Sequence, residues 1–334
     1  MPSKPGTEAT RPPENEVTLT SVVGREFKDS SLLDYLCGRF RYRDRKAWEG
    51  ELAAHRLMVN GRPADARARV RPNDSVSYTA PRKEPEVATN IPVLWEDEHL
   101  LVVDKPAPLP VHSDGVFITN TLINIMRQRT HNPALNLGHR LDRETSGVLV
   151  LAKSKVVTSK LMAAFDDSSL EKWYLAVARG EAGFTEQLVR GGMGHDPASR
   201  LELRQKLFPA GTPGTKESAT RFVVREKIMG YTLLACQPMS GRTNQIRVHL
   251  ESLGLPLAGD KLYGRTDDFY LDFIKHVKSG GGQDFAGKVE HPRHLLHAHK
   301  LGLRHPMTGE RMNWEAAMPA DMRTFVEARR PPKS

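Results

Sequence analysis

The sequence predicts an α+β protein with two folded domains, and three observations support this fold class. The chain has 334 residues, which suits roughly two domains. Short β-branched runs are interspersed with segments of helical periodicity, and no internal repeat is present. A Pro-rich, charged stretch from Ala80 to Thr89 separates a small N-terminal group of elements from a larger group, and it is typical of a linker.

The N-terminal group predicts a small module of two helices and short strands. Residues 17–23 can form a strand. Apolar residues at helical spacing predict helices over residues 30–40 and 45–54, and a serine is available to cap the first. The dipeptide Asn60-Gly61 predicts a tight turn between short strands, and residues 70–78 predict a further turn and strand.

The larger group begins with strands and an extended segment. Residues 93–106 predict two strands joined by an acidic turn. Three prolines exclude a helix from residues 105–112. The run Val148-Leu-Val-Leu-Ala152 is short, rich in β-branched residues and leucine, and free of Pro and Gly, so it predicts a buried strand.

Helices and further strands complete the larger group. Residues 121–129 and 154–165 predict helices, the second with Val156, Leu161 and Phe165 on its apolar face. A third helix follows a turn after Ser240 and ends at Gly254. Residues 266–293 form a Gly-rich, Asp-rich insertion with no predicted role, in which RNA contact or disorder is expected. The other predicted strands are residues 171–180, 219–225, 231–237 and 295–303, with strands and turns over 187–207.

The composition indicates a globular protein with a polyanionic partner. The formal net charge is +9 and the pI is about 9.5, which favours nucleic acid over a membrane because no basic amphipathic helix is present. Between Arg39 and Arg71 there are ten Lys or Arg and four Asp or Glu. Such a surface suits phosphate contacts, with Arg41 and Arg43 as candidates, although an ordinary solvated face has the same composition.

The sequence also argues against several classes of protein. The two cysteines, Cys37 and Cys236, predict a cytoplasmic protein without a disulfide framework. No apolar run approaches the roughly 18–20 residues that cross a bilayer, and the N-terminus lacks a signal-peptide core. No nucleotide-binding fingerprint is present, so no cofactor is expected. Residues 1–15 and 329–334 are polar and Pro-rich, and we expect them to be disordered.

The candidate site centres on Asp142. It lies in Leu137-Gly-His-Arg-Leu-Asp-Arg-Glu-Thr-Ser-Gly147, directly before the predicted buried strand. A loop held by a rigid strand is a common place for chemistry, and Arg140 and Arg143 lie close to this carboxylate in sequence. The same residues would also suit a turn in which Asp, Thr and Ser cap backbone groups.

Motifs over roughly residues 91–318 resemble the RluA-type pseudouridine synthases, which isomerise uridine in ribosomal or transfer RNA. His139-Arg-Leu-Asp-Arg-Glu-Thr-Ser-Gly147 fits the catalytic motif of that family at each position. The later motif is matched by Gly241-Arg-Thr-Asn-Gln-Ile-Arg-Val-His249 and Pro256-Leu-Ala-Gly-Asp-Lys-Leu-Tyr-Gly264. Further matching stretches are Lys105–His112, Lys172–Gly180 and Leu296–Ala298. The N-terminal module, roughly residues 17–80, resembles the α-L RNA-binding domain that often precedes this catalytic domain.

The resemblance implies the architecture and the partners. The catalytic domain is expected to have a mixed, largely antiparallel central sheet with flanking helices and loops. RNA is the expected partner, with no membrane, metal or small-molecule cofactor, and the expected oligomeric state is a monomer. The implied divisions are a tail (1–15), the α-L domain (16–80), a linker (81–90), the catalytic domain (91–328, with the insertion 266–293) and a second tail (329–334).

The resemblance also assigns roles to three residues. Asp142 is the implied catalytic carboxylate, acting as nucleophile or base on the uridine. Arg247 is its implied cationic partner, although a salt bridge on a helix surface would explain the same residue. Tyr174 is the implied aromatic residue that stacks on uracil and joins the proton transfers, although Trp173 is adjacent and Tyr174 also suits a half-buried strand position.

Other residues are implied to bind RNA. Arg140 is the candidate that fills the stack when the uridine is turned out, and a phosphate contact is the alternative. His139 is expected to position other groups rather than to transfer protons. Ile246 and Leu296 are expected to line the pocket, and Arg242 is a further candidate for RNA contact.

The chain departs from the family pattern at two positions. Asn244 stands where His is more usual, and Pro108 stands where Gly is usual. We expect neither residue to touch Asp142, Tyr174 or Arg247, and we expect both to affect loop shape and RNA choice.

Three other functions would use some of the same residues. A glycosylase would cut the same bond and release uracil, and a non-enzymatic RNA-binding protein would retain only the binding surface. A metal enzyme would need histidine ligands, and five histidines lie close together in the sequence, but no Cys accompanies them. These are His291, His294, His297, His299 and His305.

Overall fold

The chain forms two compact units. The structure, a computed structural model, describes residues 16–40, 43–81, 84–113, 117–165, 170–279 and 285–331. Contacts between Cα atoms divide the chain into residues 1–85 and 86–334, a boundary that falls within the stretch predicted as a linker. Within the described ranges, no helix combines the length and apolarity needed to span a bilayer.

The N-terminal unit is a four-stranded antiparallel sheet with two helices. The strand order is β1-β4-β2-β3, and the core includes Tyr35 and Trp48, whose side chains are almost fully buried. Asn60 and Gly61 both have positive φ angles, as the predicted tight hairpin requires. The elements are β1 (Glu16–Val22), a 3₁₀ turn (Arg25–Phe27), α1 (Leu32–Arg39), α2 (Arg45–Ala53), β2 (Leu57–Val59), β3 (Arg62–Pro63) and β4 (Ser75–Pro81).

The C-terminal unit is built on one large sheet. Its strands are β5 (Val93–Glu96), β6 (Leu100–Lys105), β7 (Asn136–Leu137), β8 (Ser146–Ala152), β9 (Glu171–Arg179), β10 (Glu186–His195), β11 (Gln205–Phe208), β12 (Lys216–Ile228), β13 (Tyr231–Pro238), β14 (Leu296–Arg304) and β15 (Arg311–Glu315). Its helices are α3 (Leu122–Thr130), α4 (Lys155–Phe165), α5 (Gln245–Ser252), α6 (Asp267–Lys278) and α7 (Ala320–Glu327).

The sheet is mixed and mostly antiparallel. Its order is β11-β10-β12-β13-β9-β14-β8-β6-β5, with β15 beside β14 and β7 beside β8. The pairing of β8 with β14 is parallel, and the other pairings in this sheet are antiparallel. The predicted α+β fold class and the predicted sheet type are therefore confirmed.

The centre of the sheet positions the loop that carries Asp142. All seven residues of β8 are buried, because β6 and β14 cover its two edges and other elements cover both of its faces. The order β13-β9-β14-β8 places Ala298 opposite Tyr174 on one side and beside Gly147 on the other. Residues that are far apart in sequence therefore meet at the start of β8.

The structure corrects the predicted apolar face of α4. Val156 is 63% exposed, whereas Val157 and Leu161 are buried against the strands beneath. Because these two residues are four positions apart, they form one stripe along the helix. The sequence offered two adjacent valines, and only packing on the sheet selects between them.

The alternative of disorder for residues 266–293 is wrong for the part that the structure describes, and RNA contact stays a prediction. Most of this segment that the structure describes is helix α6, which Thr266 caps by accepting a hydrogen bond from the backbone amide of Phe269 at 3.3 Å. Phe273 and Phe285 are buried. A threonine followed by two aspartates is a helix-start signal that the sequence contains.

Gly147 leads to a stability prediction. Its φ angle is +112°, and a Cβ atom there would lie 2.1 Å from the carbonyl oxygen of Ala298. We expect Gly147→Ala to lower the free energy of unfolding by about 3 kcal/mol or more, since it combines backbone strain with overpacking. Chemical denaturation measures this change.

Gly183→Ala is the matched control for that variant. No atom lies within 4 Å of a Cβ built at Gly183, and its φ angle is not in the restricted positive range. Its unfolding midpoint should stay close to that of the wild type. Equal midpoints for the two variants would show that the close approach of β14 does not require glycine at position 147.

Candidate active site

Hydrogen bonds from the buried side chain of Lys105 hold the loop that carries Asp142. The Lys105 ammonium group is fully buried and donates hydrogen bonds to the carbonyl oxygens of Pro106, Leu109 and Arg143, at 3.0, 2.8 and 3.1 Å. The backbone amide of Leu109 also donates to the Arg143 carbonyl, at 2.8 Å. Burial holds the pKa of Lys105 well below its ordinary value. The segment from residue 105 to 109 therefore anchors the residue next to Asp142.

Glu144 provides the second anchor of this loop. Its carboxylate accepts hydrogen bonds from the Lys261 ammonium at 2.9 and 3.0 Å and from the backbone amide of His294 at 2.9 Å. The Arg293 guanidinium donates to the Glu144 carbonyl at 3.0 Å and is itself paired with Asp321. Burial lowers the pKa of Lys261, although the Glu144 charge opposes this effect. A buried network thus ties the loop to the end of the insertion and to α7.

Asp142 faces Arg247 at the start of α5. The distance from Nη1 of Arg247 to Oδ2 of Asp142 is 3.3 Å. On its other side, Arg247 makes a bidentate pair with Asp260, with distances of 2.7 and 2.9 Å. The exposed fractions of these side chains are 33% for Asp142, 11% for Arg247 and zero for Asp260. The alternative of a salt bridge on a helix surface is therefore wrong, and Arg247 is a largely buried cation between two carboxylates.

The charges of this group stabilise one another. Burial would by itself lower the pKa of Arg247, but the Asp260 carboxylate outweighs it, and the pKa is raised above the ordinary value for arginine. Burial would likewise raise the pKa of Asp260, but Arg247 and two backbone amides hold it below the ordinary value. Arg247 is thus a permanent positive charge at a fixed position beside Asp142.

Asn244 contacts Arg247 directly, so the expectation that it would not is wrong. Its Oδ1 accepts a hydrogen bond from Nη1 of Arg247 at 2.9 Å, and its Nδ2 donates to the Tyr263 hydroxyl at 3.1 Å. Asn244 has a φ angle of 58° and does not cap α5 with its side chain, which is free to reach the arginine. The Arg247 guanidinium lies 4.8 Å from the centre of the Tyr263 ring. The other departure, Pro108, follows a cis peptide bond within the segment that anchors the loop.

A cavity of about 340 Å³ opens over Asp142. Its wall combines the loop before β8, strands β9 and β14, and the start of α5. Every residue of the C-terminal unit that the sequence singled out for a catalytic or binding role lines this one cavity. These residues are His139, Arg140, Asp142, Tyr174, Arg242, Ile246, Arg247 and Leu296.

Strand alternation decides between the two aromatic candidates on β9. Tyr174 lines the cavity, whereas Trp173 does not and donates a hydrogen bond from its indole to Glu171 at 2.9 Å. The pKa of Tyr174 is raised above its ordinary value, first by withdrawal from water and second by the Asp142 charge. The phenol therefore keeps its proton at neutral pH.

The other cavity residues differ in how firmly they are held. His139 accepts a hydrogen bond from the backbone amide of Val150 at 3.1 Å and stacks on Phe165, and burial lowers its pKa to about 3. A neutral, stacked imidazole of this kind positions the loop. Arg140 is exposed at the cavity wall, and Arg242 donates a hydrogen bond to the Glu217 carbonyl at 3.1 Å.

The histidines considered as metal ligands form hydrogen bonds within the protein. His294 bonds to the Thr145 hydroxyl at 2.8 Å, and His297 bonds to the Ser146 hydroxyl at 2.9 Å. Burial holds the pKa of His294 well below its ordinary value. Among the described residues, no three His, Cys, Asp or Glu side chains are grouped so as to hold a metal ion.

Sequence reasoning missed the residues that hold the site together. Asp260 and Lys261 lie in a motif that was recognised, but no role was predicted for either. Glu144 and Lys105 are likewise buried, and each has a hydrogen-bond partner that lies far away in sequence. A charged residue within or beside an apolar run is the signal available, because such residues are rarely buried without a partner.

The two arginines predicted to bind RNA from the N-terminal unit have different outcomes. Arg43 pairs with Glu51 at 2.6 Å and lies over the Trp48 ring, with a side chain that is 31% exposed. It therefore has a structural role, and its contact with RNA stays a prediction. Arg41 lies outside the described residues.

Comparisons with known proteins agree with this geometry. Residues 99–252 match the family model for RNA pseudouridylate synthase. The ribosomal large subunit pseudouridine synthase D of Nitrosomonas europaea is 31% identical, over 98% of this chain and 92% of its own. An uncharacterized RNA pseudouridine synthase of Bacillus subtilis is 32% identical, over 81% of this chain and 84% of its own.

A solved structure supports the same assignment. The human RNA pseudouridylate synthase domain containing 4 matches 71% of this chain and 92% of its own, with 25% identity and a TM-score of 0.55. The residues that match the family model, 99–252, include the loop of Asp142 and the start of α5. The chain therefore belongs to the RluA-type family of pseudouridine synthases and is an RNA-modifying isomerase.

Proposed function

We propose that this enzyme isomerises uridine to pseudouridine in ribosomal RNA, with Asp142 as the catalytic carboxylate acting on a uridine turned out of the RNA stack. The relatives named for the large ribosomal subunit support ribosomal RNA as the substrate. The observation that carries the proposal is the placement of Asp142 in a cavity that Tyr174 also lines, 3.3 Å from the largely buried Arg247.

The reaction needs few groups because it is an isomerisation. The bond from C1′ to N1 breaks, the uracil turns, a bond from C1′ to C5 forms, and the proton on C5 leaves for solvent as N1 gains one. Asp142 acts as the nucleophile or the base near C1′. Arg247 holds it in place with a charge that Asp260 fixes.

Apolar and aromatic residues would hold the uracil during its turn. Tyr174 offers a ring face for stacking, and Ile246 and Leu296 offer an apolar wall. Because the pKa of Tyr174 is raised, its hydroxyl serves as a hydrogen-bond donor rather than as a phenolate. Stacking and apolar contacts do not fix the orientation of the uracil, so they allow it to rotate.

Arg140 and the N-terminal unit supply the RNA contacts. Arg140 is exposed at the edge of the cavity, where it can fill the gap that the uridine leaves. Exposed arginines of the N-terminal unit, such as Arg62, Arg67 and Arg71, are proposed to contact phosphates. We also propose that the enzyme is a monomer and that it acts in the cytoplasm, where the free thiols of Cys37 and Cys236 would stay reduced.

Tritium release tests the proposed function. The full chain is incubated with unmodified ribosomal or transfer RNA that carries tritium at C5 of uridine. A synthase releases tritium to water while the RNA keeps its uracil. Free uracil would indicate a glycosylase, and no release from either RNA would favour a protein that only binds. Release from transfer RNA alone would reject ribosomal RNA as the substrate.

Asn244 gives a first kinetic prediction. Asn244→Gly preserves the positive φ angle but removes the hydrogen bonds to Arg247 and Tyr263. We expect kcat for tritium release to fall about tenfold, because one hydrogen bond to a charged group is lost. Asn244→Asp keeps an oxygen acceptor for Arg247 and serves as the comparison. Unchanged kcat in the glycine variant would show that Asp260 alone positions Arg247.

Salt dependence gives a second prediction. Arg62→Gln combined with Arg67→Gln is expected to weaken RNA binding and to lower the slope of log affinity against log salt by roughly 0.7 for each lost phosphate contact. Filter binding at several salt concentrations measures the slope. Arg221→Gln is the control, because Arg221 is already paired with Glu186. Equal slopes for the double variant and the wild type would remove these two arginines from the RNA surface.

A further inference from the structure

A second cavity, of about 470 Å³, borders the first. Arg140, Asp142 and Arg247 belong to the walls of both cavities. The two spaces therefore adjoin at these residues. A uridine held over Asp142 and against Tyr174 leaves this second space open.

Part of the wall of the second cavity is apolar. Tyr270 and Phe273 of α6 contribute aromatic rings, and Leu203 contributes an aliphatic side chain that is 45% exposed. This apolar part of the wall therefore comes from α6 and from the turn before β11.

Most charged groups of this wall are already paired within the protein. Lys261 binds Glu144, and Arg143 also pairs with Glu144 at 2.9 Å. Arg247 is shared between Asp142 and Asp260. Apart from the exposed Arg140, the cations of this wall are held by carboxylates, whereas a flat and partly apolar group would find ring faces. The chemistry of the wall thus favours a nucleobase.

We propose that the second cavity binds the base of the nucleotide next to the target uridine in the RNA. This inference rests on the proposed function, because it needs RNA in the first cavity. Arg140, which lines both cavities, then lies close to both bases. Tyr270 stacks on the neighbouring base, and Leu203 covers its edge. The identity of that base contributes to the choice of the uridine.

The test removes the neighbouring base and the residues that would hold it. Short RNAs that contain the target uridine, labelled with tritium at C5, are made with an abasic nucleotide immediately 5′ or 3′ of this uridine. Tritium release gives kcat/KM for each RNA. For the wild type we expect one of the two abasic RNAs to react about tenfold more slowly, the effect of losing one stacking contact. An abasic nucleotide several positions away should have no effect.

Tyr270→Ala should remove this discrimination. On intact RNA its kcat/KM should fall about tenfold, and the abasic replacement should then cost nothing more, because both changes remove the same contact. Phe269→Ala is the matched control, since Phe269 is the adjacent aromatic on α6 but lines neither cavity. It should keep the discrimination of the wild type.

Two exposed leucines outside α6 provide a second test variant and its control. Leu203→Ser should weaken the discrimination, whereas Leu188→Ser should not, because Leu188 is 38% exposed and lines neither cavity. Full activity of the wild type on both abasic RNAs would overturn the proposal. So would multiplicative effects of Tyr270→Ala and the abasic nucleotide. Absence of tritium release from every intact RNA is a different result, which would reject the proposed function itself.

Discussion

Replacing Asp142 by asparagine is expected to lower the rate of tritium release at least about 10³-fold, since an amide can act neither as the nucleophile nor as the base. The shape of the side chain is preserved, and Arg247 keeps its bidentate pair with Asp260. RNA affinity should therefore change little while kcat falls. Single-turnover tritium release and filter binding measure the two quantities.

Stability separates this loss of chemistry from a loss of structure. The Asp142 side chain is 33% exposed, so Asp142→Asn should change the free energy of unfolding by less than roughly 1 kcal/mol. Asp268→Asn, which changes an exposed aspartate paired with Arg200, is the control and should leave the rate unchanged. An active Asp142→Asn enzyme would refute the role of this carboxylate.

Replacing Asp260 by asparagine is expected to destabilise the C-terminal unit by about 3–5 kcal/mol, because it leaves the buried Arg247 charge without its main partner. The Asp260 side chain has no exposed surface and also accepts hydrogen bonds from the backbone amides of Leu262 and Tyr263, at 2.8 and 3.0 Å. Denaturant unfolding measures the loss. Tritium release should fall as well, since Arg247 loses the group that aims it at Asp142.

The ion pair between Asp260 and Arg247 also predicts how the stability difference between the wild type and Asp260→Asn depends on pH. The pKa of Asp260 is held below the ordinary value of about 3.9 for an unfolded chain. The stability that it contributes is therefore fully present above about pH 4 and is lost as the pH falls through the folded-state pKa. The gap between wild type and Asp260→Asn should be widest near neutral pH and should narrow in acid.

Asp104 provides a control, because its pKa is shifted in the opposite direction from that of Asp260. Burial raises its pKa, so the charged carboxylate is disfavoured in the folded state. Asp104→Asn should leave stability at neutral pH unchanged or slightly higher. If Asp104→Asn and Asp260→Asn destabilised the protein equally, the loss at position 260 would reflect packing rather than the ion pair.

Local sequence signals predicted most elements because they depend on neighbours along the chain. The Asn60-Gly61 turn, the prolines after Lys105 and the run before Lys153 each specify their own backbone. The error at Val156 arose where two apolar neighbours competed for one buried face. The missed helix α6 shows that glycines and aspartates nearby can hide a local signal that is present.

The site shows where the sequence stops being sufficient. Motifs identified Asp142, Tyr174 and Arg247, and the structure places all three around one cavity. The role of Asn244 was misjudged, because its hydrogen bond to Arg247 depends on a left-handed backbone conformation that the motif does not reveal. Its side chain would otherwise be expected to cap α5.

The sequence by itself determined the fold class, the order of elements and the carboxylate on which the chemistry depends. Only the tertiary structure decided which charges meet. Asp142 and Arg247 are 105 residues apart, and Glu144 and Lys261 are 117 residues apart. The sheet order and the anchored loops set these distances. Burial in that arrangement makes each charge require its partner, which no pattern of neighbouring residues encodes.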